Sequence, residues 1–214
     1  MPNMLTKMLF AILFSVLTTL SDGMFHSTYT TDIQADIASS NMAVDSFITH
    51  LQTEPLLLAE WAFAGMGRQQ DSEKNAMYLK WKYSEYNPET HYSKLIVDVL
   101  VDDKPRFKDV TVECIVRDTM INEVRDVHVD IFYSGSLLKQ AYGNFHVMPL
   151  TDTKSQMAID MHVKFGWFFR IFITRKIYRE TIDWRVERFV TNLKMRAEGN
   201  IPSDAYWHAI DSQH

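Results

Sequence analysis

With 214 residues, 46% of them hydrophobic and 13% aromatic, the chain has apolar material for one sizeable core and is short for two domains. A formal charge of −5, from 22 basic and 27 acidic residues, argues against a nucleic-acid-binding surface, which needs a basic face. A single cysteine, Cys114, excludes an internal disulfide scaffold and any zinc site built on several thiolates.

The first segment is a leader. Lys7 precedes the apolar run Met8–Leu20, 13 residues long, against the roughly 20 that a membrane-spanning helix needs. Its length suits the core of a secretory signal, with Thr19, Ser21 and Gly23 as the small residues of a cleavage site. Residues 1–23 are therefore expected to be a signal peptide or an uncleaved anchor, which makes the protein exported or membrane-associated. The alternative is a helix packed on the domain or on a protein partner, in an intracellular protein.

From Phe25 to Ile37 apolar or small residues alternate with polar ones, and the period of two predicts a strand. Ser39-Ser40-Asn41 offers capping groups for a helix carrying Ala43, Phe47, Ile48 and Leu51. Pro55 interrupts that spacing and starts a second short helix through Trp61. Gly65 to Ser72 reads as a polar loop.

Strands then follow one another. Leu79, Trp81 and Tyr83 alternate with Tyr78, Lys80 and Lys82, and Asn87-Pro88 marks a turn. Leu95 to Val101 forms the next apolar edge, with a tight turn at Asp102–Pro105. Val110, Val112, Cys114 and Val116 follow, then a turn at Asp118-Thr119, then Val127, Val129, Ile131 and Tyr133. Ser134-Gly135-Ser136 leads into Leu138–Val147, and Met157, Ile159, Met161, Val163 and Phe165 complete the series. Alternation this clean predicts antiparallel strands with one buried and one wet face. Cys114 falls on the buried side and reads as a small core hydrophobe. The last element, about 173–198, carries Tyr178, Ile182, Val186, Phe189 and Leu193 at helical spacing, flanked by Trp184 and Val190, and Gly199 ends it. The tail, 200–214, has Tyr206, Trp207 and Ile210 among polar residues and is expected to dock loosely or to be mobile.

The order is strand, two short helices, about six more antiparallel strands and one long helix. Its most telling stretch runs from Met157-Ala158-Ile159-Asp160-Met161-His162-Val163-Lys164-Phe165, through Gly166-Trp167-Phe168-Phe169, into a helix that closes on Asn192-Leu193-Lys194 and Ala197-Glu198. In this the chain resembles the START-like, or polyketide-cyclase-like, helix-grip superfamily over roughly residues 25–198. The resemblance implies an α+β helix-grip domain at 24–199: a curved antiparallel sheet of about seven strands around the C-terminal helix. It also implies a cavity between sheet and helix that holds a lipid or other hydrophobic small molecule. No invariant catalytic motif accompanies the superfamily, and no cofactor is expected.

Aromatic side chains with a polar tip on a largely apolar face suit a ligand pocket. Trp81, Tyr83, Tyr133, Tyr142, Trp184 and Phe189 are the candidate ligand-binding residues, with plain core packing as the other reading. Trp167, Phe168, Phe169, Arg170 and Arg175 join aromatic and basic groups where the last strand meets the helix. That composition suits a ligand entrance or a membrane surface, or else a charged rim over core aromatics. His26, His128, His146 and His162 sit on predicted strands, with His128 and His162 on the polar face beside Asp126, Asp130 and Asp160. Ordinary cross-strand pairing accounts for them, and no metal is assigned. The expected function is binding, and with it transport, of a hydrophobic molecule near a membrane. An enzyme of cyclase or hydratase type, or a structural subunit of a larger assembly, are the alternatives.

Overall fold

Alternation of Phe25, Ser27, Tyr29 and Thr31 with His26, Thr28 and Thr30 makes the first strand. The computed structural model, which describes residues 24–67, 77–101, 104–133, 138–166 and 173–212, has it as β1 (Met24–Ile33). This strand ends sooner than the alternation predicts. Asp36 takes an extended backbone and its carboxylate accepts the Ser39 N–H at 2.7 Å, so α1 (Ile37–Thr53) starts at Ile37. The Ser39–Asn41 group expected as the cap lies inside the helix, and Asp36 caps it instead. Pro55 stands at the first position of α2 (Pro55–Glu60), where its missing N–H costs nothing. The indole N–H of Trp61 donates to His50 Nδ1 at 3.0 Å and pins the corner between the two helices.

Six strands follow: β2 (Met77–Asn87), β3 (Tyr92–Val101), β4 (Lys104–Ile121), β5 (Val124–Tyr133), β6 (Leu138–Thr151) and β7 (Lys154–Phe165). They form one sheet in the order β1-β7-β6-β5-β4-β3-β2, with every neighbouring pair antiparallel. The turn expected at Asp118-Thr119 falls instead at Asn122-Glu123, whose φ angles of 51° and 65° are those of a two-residue hairpin turn. Asp118 and Thr119 remain paired, opposite Val127 and Asp126. The expected turns around Asp102–Asp103 and Ser134–Ser136 lie outside the described residues.

The C-terminal helix is long but not uniform. α3 (Arg175–Tyr178) passes through a single π-helical turn at Arg179–Asp183 into α4 (Trp184–Ala197). A π turn adds a residue and rotates the apolar stripe. Tyr178 is buried before it, and Trp184, Phe189, Val190, Leu193 and Ala197 after it. Gly199, at φ 78°, stops the helix, and the Asn200 N–H returns to the Met195 carbonyl at 2.8 Å.

Both α1 and α4 pack on the same sheet face. Phe47 and Leu51 of α1 and Phe189 and Leu193 of α4 meet Val127, Phe145, Val147, Met157 and Ile159 in the main core. A second, smaller core joins Tyr178 to Ala141, Val163 and Phe165. Ile33, Leu58, Met157 and Leu193 are fully enclosed, and each such side chain contributes about 1.5–3 kcal/mol through burial. Arg125 lies on the same face, only 4% exposed. Its guanidinium joins Asp118 on β4 to Asp45 and the Asn41 carbonyl on α1.

The tail docks firmly, contrary to the loose docking expected of it. α5 (Asp204–Asp211) brings the Asp204 carboxylate to the Gly65 N–H at 2.5 Å, and Trp207 donates to Asn192 Oδ1 at 3.0 Å. Asn192, itself fully buried, donates to the carbonyls of Ala62 and Ala64, both at 3.0 Å. Arg188 lies over the Trp207 ring and donates to the Gly65 carbonyl.

Candidate functional site: a pocket beside an edge strand

Strand β2 lies at one edge of the sheet, and between Trp81 and Tyr83 its register against β3 slips by one residue. Lys82 is the extra residue of this bulge. Its ammonium bridges Asp98 at 2.9 Å and Asp109 at 2.8 Å. The bulge bends the strand beside the α1–α2 corner. There a pocket of about 400 Å3 opens between Thr53–Leu57 and Trp81–Ser84. Pro55, Leu56 and Leu57 form one wall, and Trp81 and Tyr83 the other.

The two aromatic residues differ in support. Trp81 packs on the main core and its ring lies parallel to that of Phe63, with centroids 6.3 Å apart. Its indole N–H is buried, and no acceptor reaches it among the described residues. Tyr83 is 51% exposed. On the opposite wall Leu56 is 63% exposed, an apolar side chain facing outward beside the opening. Pro55 had been legible as a helix start, but the partnership of the 53–57 corner with β2 had no signal in the sequence.

The other predicted residues lie elsewhere. Phe189 sits among the rings of Phe47, Phe63 and Phe145 at centroid distances of 5.1–5.9 Å, so packed aromatics occupy that space between sheet and helix. Trp184 is buried, donates to the Glu180 carbonyl at 2.9 Å and carries the Arg185 guanidinium over its ring. Tyr133, half-buried, ends β5 opposite Val112. Arg175 is exposed in the first turn of α3. Trp167, Phe168, Phe169 and Arg170 lie outside the described residues.

Tyr142 is a correction. Ala141, Gly143 and Phe145 point inward, so the alternation of β6 turns Tyr142 to the outer face, away from both helices. There it stacks on His162 at 4.4 Å, and His162 stacks on His26 at 4.3 Å. The histidines named from the sequence do converge on this face. His128 bonds Asn144 at 2.6 Å and Asp130 at 3.1 Å, and His146 pairs with Asp126. Among the described residues, no three His, Cys, Asp or Glu side chains are arranged to hold a metal ion. Nor, among them, is any helix long and apolar enough to cross a membrane.

One strand, a 17-residue helix and a short one, six antiparallel strands and a long helix on the same sheet face make this a START-like helix-grip fold. Among solved structures, the chain is similar to a conserved protein from Geobacillus kaustophilus, at 12% identity and a TM-score of 0.50, over 82% of this chain and 96% of that one. It is also similar to a START superfamily protein from Mycobacterium smegmatis, at 11% identity and a TM-score of 0.49, over 81% and 97%. A third similarity is to the ZhuI aromatase/cyclase from Streptomyces sp. R1128, at 8% identity and a TM-score of 0.47, over 82% and 94%. No protein-family model matches the sequence, and neither does any curated protein.

Proposed function

We propose that the chain binds a hydrophobic small molecule in the pocket between the α1–α2 corner and β2. The observation that carries this reading is the pocket itself, about 400 Å3 walled by Pro55, Leu56, Leu57, Trp81 and Tyr83. Its volume falls in the range of small-molecule sites, which are mostly apolar with a few polar groups that orient the ligand. Among the described residues no acceptor reaches the buried indole N–H of Trp81, and an unsatisfied buried donor costs about 1–3 kcal/mol. A ligand bearing a carbonyl or hydroxyl oxygen that reached it would offset that cost.

Transport near a membrane belongs to the same reading and draws its support from the leader, Lys7 followed by Met8–Leu20. Binding is tested with 8-anilinonaphthalene-1-sulfonate, an apolar fluorescent probe, on the full chain. Leu56→Asp and Tyr83→Ser change exposed side chains at the rim and leave the core untouched. Each is expected to weaken probe binding about tenfold or more, the factor that roughly 1.4 kcal/mol represents, with an unchanged unfolding midpoint. Binding that survives both substitutions at full strength sinks the assignment to this pocket.

A further inference from the structure

The outer face of the sheet carries a line of rings that the pocket does not use. His26, His162 and Tyr142 are direct register partners across β1, β7 and β6, so strand spacing alone stacks their rings. Asp160 stands one pair further along and takes up the facing groups. It accepts from Thr28 at 2.7 Å, lies 3.3 Å from His26 Nε2, and has His146 Nε2 at 3.9 Å on its other side.

Among the described residues β1 is an edge strand of the sheet, with β7 as its one partner. Its other face grips the start of the C-terminal helix. Phe25 stacks on Tyr178 at 4.7 Å, Ser27 Oγ lies 2.8 Å from the Tyr178 hydroxyl, and Tyr29 donates to the Asp183 carbonyl at 3.0 Å. Whatever loosens β1 therefore also frees the first turns of that helix.

We propose that the His26–His162–Tyr142 stack is an acid-sensitive latch that holds β1 on the sheet at neutral pH and loosens it under mild acid. The physical reason is the second proton. Asp160 can compensate one charged imidazole, but two imidazolium rings 4.3 Å apart repel strongly at a partly desolvated face. Burial, and after it the neighbouring His26, hold the His162 imidazole below its ordinary 6.5, outweighing the opposite pull of Asp160. Thr28 first, then His26, keeps the Asp160 carboxyl below the usual range despite partial burial, so it stays ionised across the window.

Other charged and titratable groups stand on this face near the stack. From β5 come Asp126, paired with His146, together with His128 and Asp130. From β4 comes Arg117, 2.6 Å from Asp130, and from β7 Lys164, one pair beyond His162 and opposite Met24. Asp126 and Asp130 are engaged by His146, His128 and Arg117, so Asp160 is the carboxylate in contact with the stack, and Lys164 adds positive charge near it.

The sign follows from linkage. His162 resists a proton that the unfolded or detached strand accepts, so its contribution is complete above pH 6.5 and falls away as pH drops below that value. A single proton changes the opening equilibrium by up to tenfold per pH unit. Hydrogen–deuterium exchange of the full chain at about pH 7.5 and about pH 5.5, corrected for intrinsic rates, reads the latch directly. Protection of β1 amides is expected to fall up to about tenfold more than that of the β4–β5 hairpin. In His162→Phe, which keeps a ring in the stack but cannot titrate, the extra fall should vanish. His26→Phe, which removes the like charge, should reduce it by a second route. An equal loss of protection in β1 and in the hairpin, or a full extra loss of β1 protection in both variants, overturns the proposal.

Discussion

Trp207 of α5 lies directly against Gly65, so closely that a Cβ built there would overlap the Cβ and ring atoms of the tryptophan. Gly65 also has a φ of 70°, in the left-handed region where side chains are strained. The turn at 61–67 is thus closed by a segment about 140 residues away in the chain, and Phe63 of that turn stacks on Trp81 of the pocket wall.

Gly65→Ala is therefore expected to destabilise the fold by roughly 2–6 kcal/mol, the sum of backbone strain and overpacking. Trp207→Ala removes the obstruction, so the double variant should cost clearly less than the two single changes added together. Urea unfolding of the four proteins measures this coupling. Strict additivity would mean that the two residues do not meet.

Arg125 supplies the second prediction. Its guanidinium is buried, with Asp118 at 2.5 Å on one side and Asp45 at 2.5 Å on the other, which ties the β4–β5 hairpin to α1. Arg125→Ala removes the buried guanidinium and leaves Asp118, 38% exposed, without its cation, and is expected to cost about 1.5–3 kcal/mol, the range for hydrogen bonds to charged groups. Asp45 is 61% exposed, so water replaces much of what it loses. Asp45→Asn should cost no more than about 1 kcal/mol. If the two variants show comparable unfolding midpoints, the clip is not organised around the buried arginine.

Cys114 gives a third. It is buried on the inner face of β4, and burial pushes its thiol up to about 11, with the Ser93 hydroxyl pulling weakly the other way. The thiolate is the reactive form, so native protein at pH 8 should label with a thiol reagent only as fast as it opens. Labelling in minutes without denaturant, at the rate of a free thiol, would show that the strand face is open to solvent.

The elements themselves were largely legible. Val112, Cys114 and Val116 alternate with Thr111, Glu113 and Ile115 because a pleated strand turns successive side chains to opposite faces. That period survives in the sequence wherever one face is buried. Gly199 marked the end of the last helix because few residues accept its backbone angle. Errors fell where one local signal competes with another. Asp36 outranked Ser39–Asn41 as a cap, Asn122-Glu123 replaced Asp118-Thr119 as the turn, and the π turn at 179–183 left no trace in an otherwise regular stripe.

The candidate site was less legible, for a different reason. Trp81 and Tyr83 could be picked out as aromatic residues of one strand, but their partners at 53–57 meet them only where the folded chain brings the α1–α2 corner to β2. Tyr142 had the right chemistry and the wrong side, since its neighbours Ala141 and Gly143 are too small to announce which face is the core. His26 and His162 are 136 positions apart in the chain and meet only because β1 closes the sheet against β7.

By itself, then, the sequence determined that this chain makes amphipathic strands followed by an amphipathic helix, since periodicity is a local property that each segment carries alone. Only the tertiary structure decided which strands are neighbours, which rings stack and where a pocket opens. Those depend on pairings between segments far apart in the chain, and nothing in any one of them encodes the other.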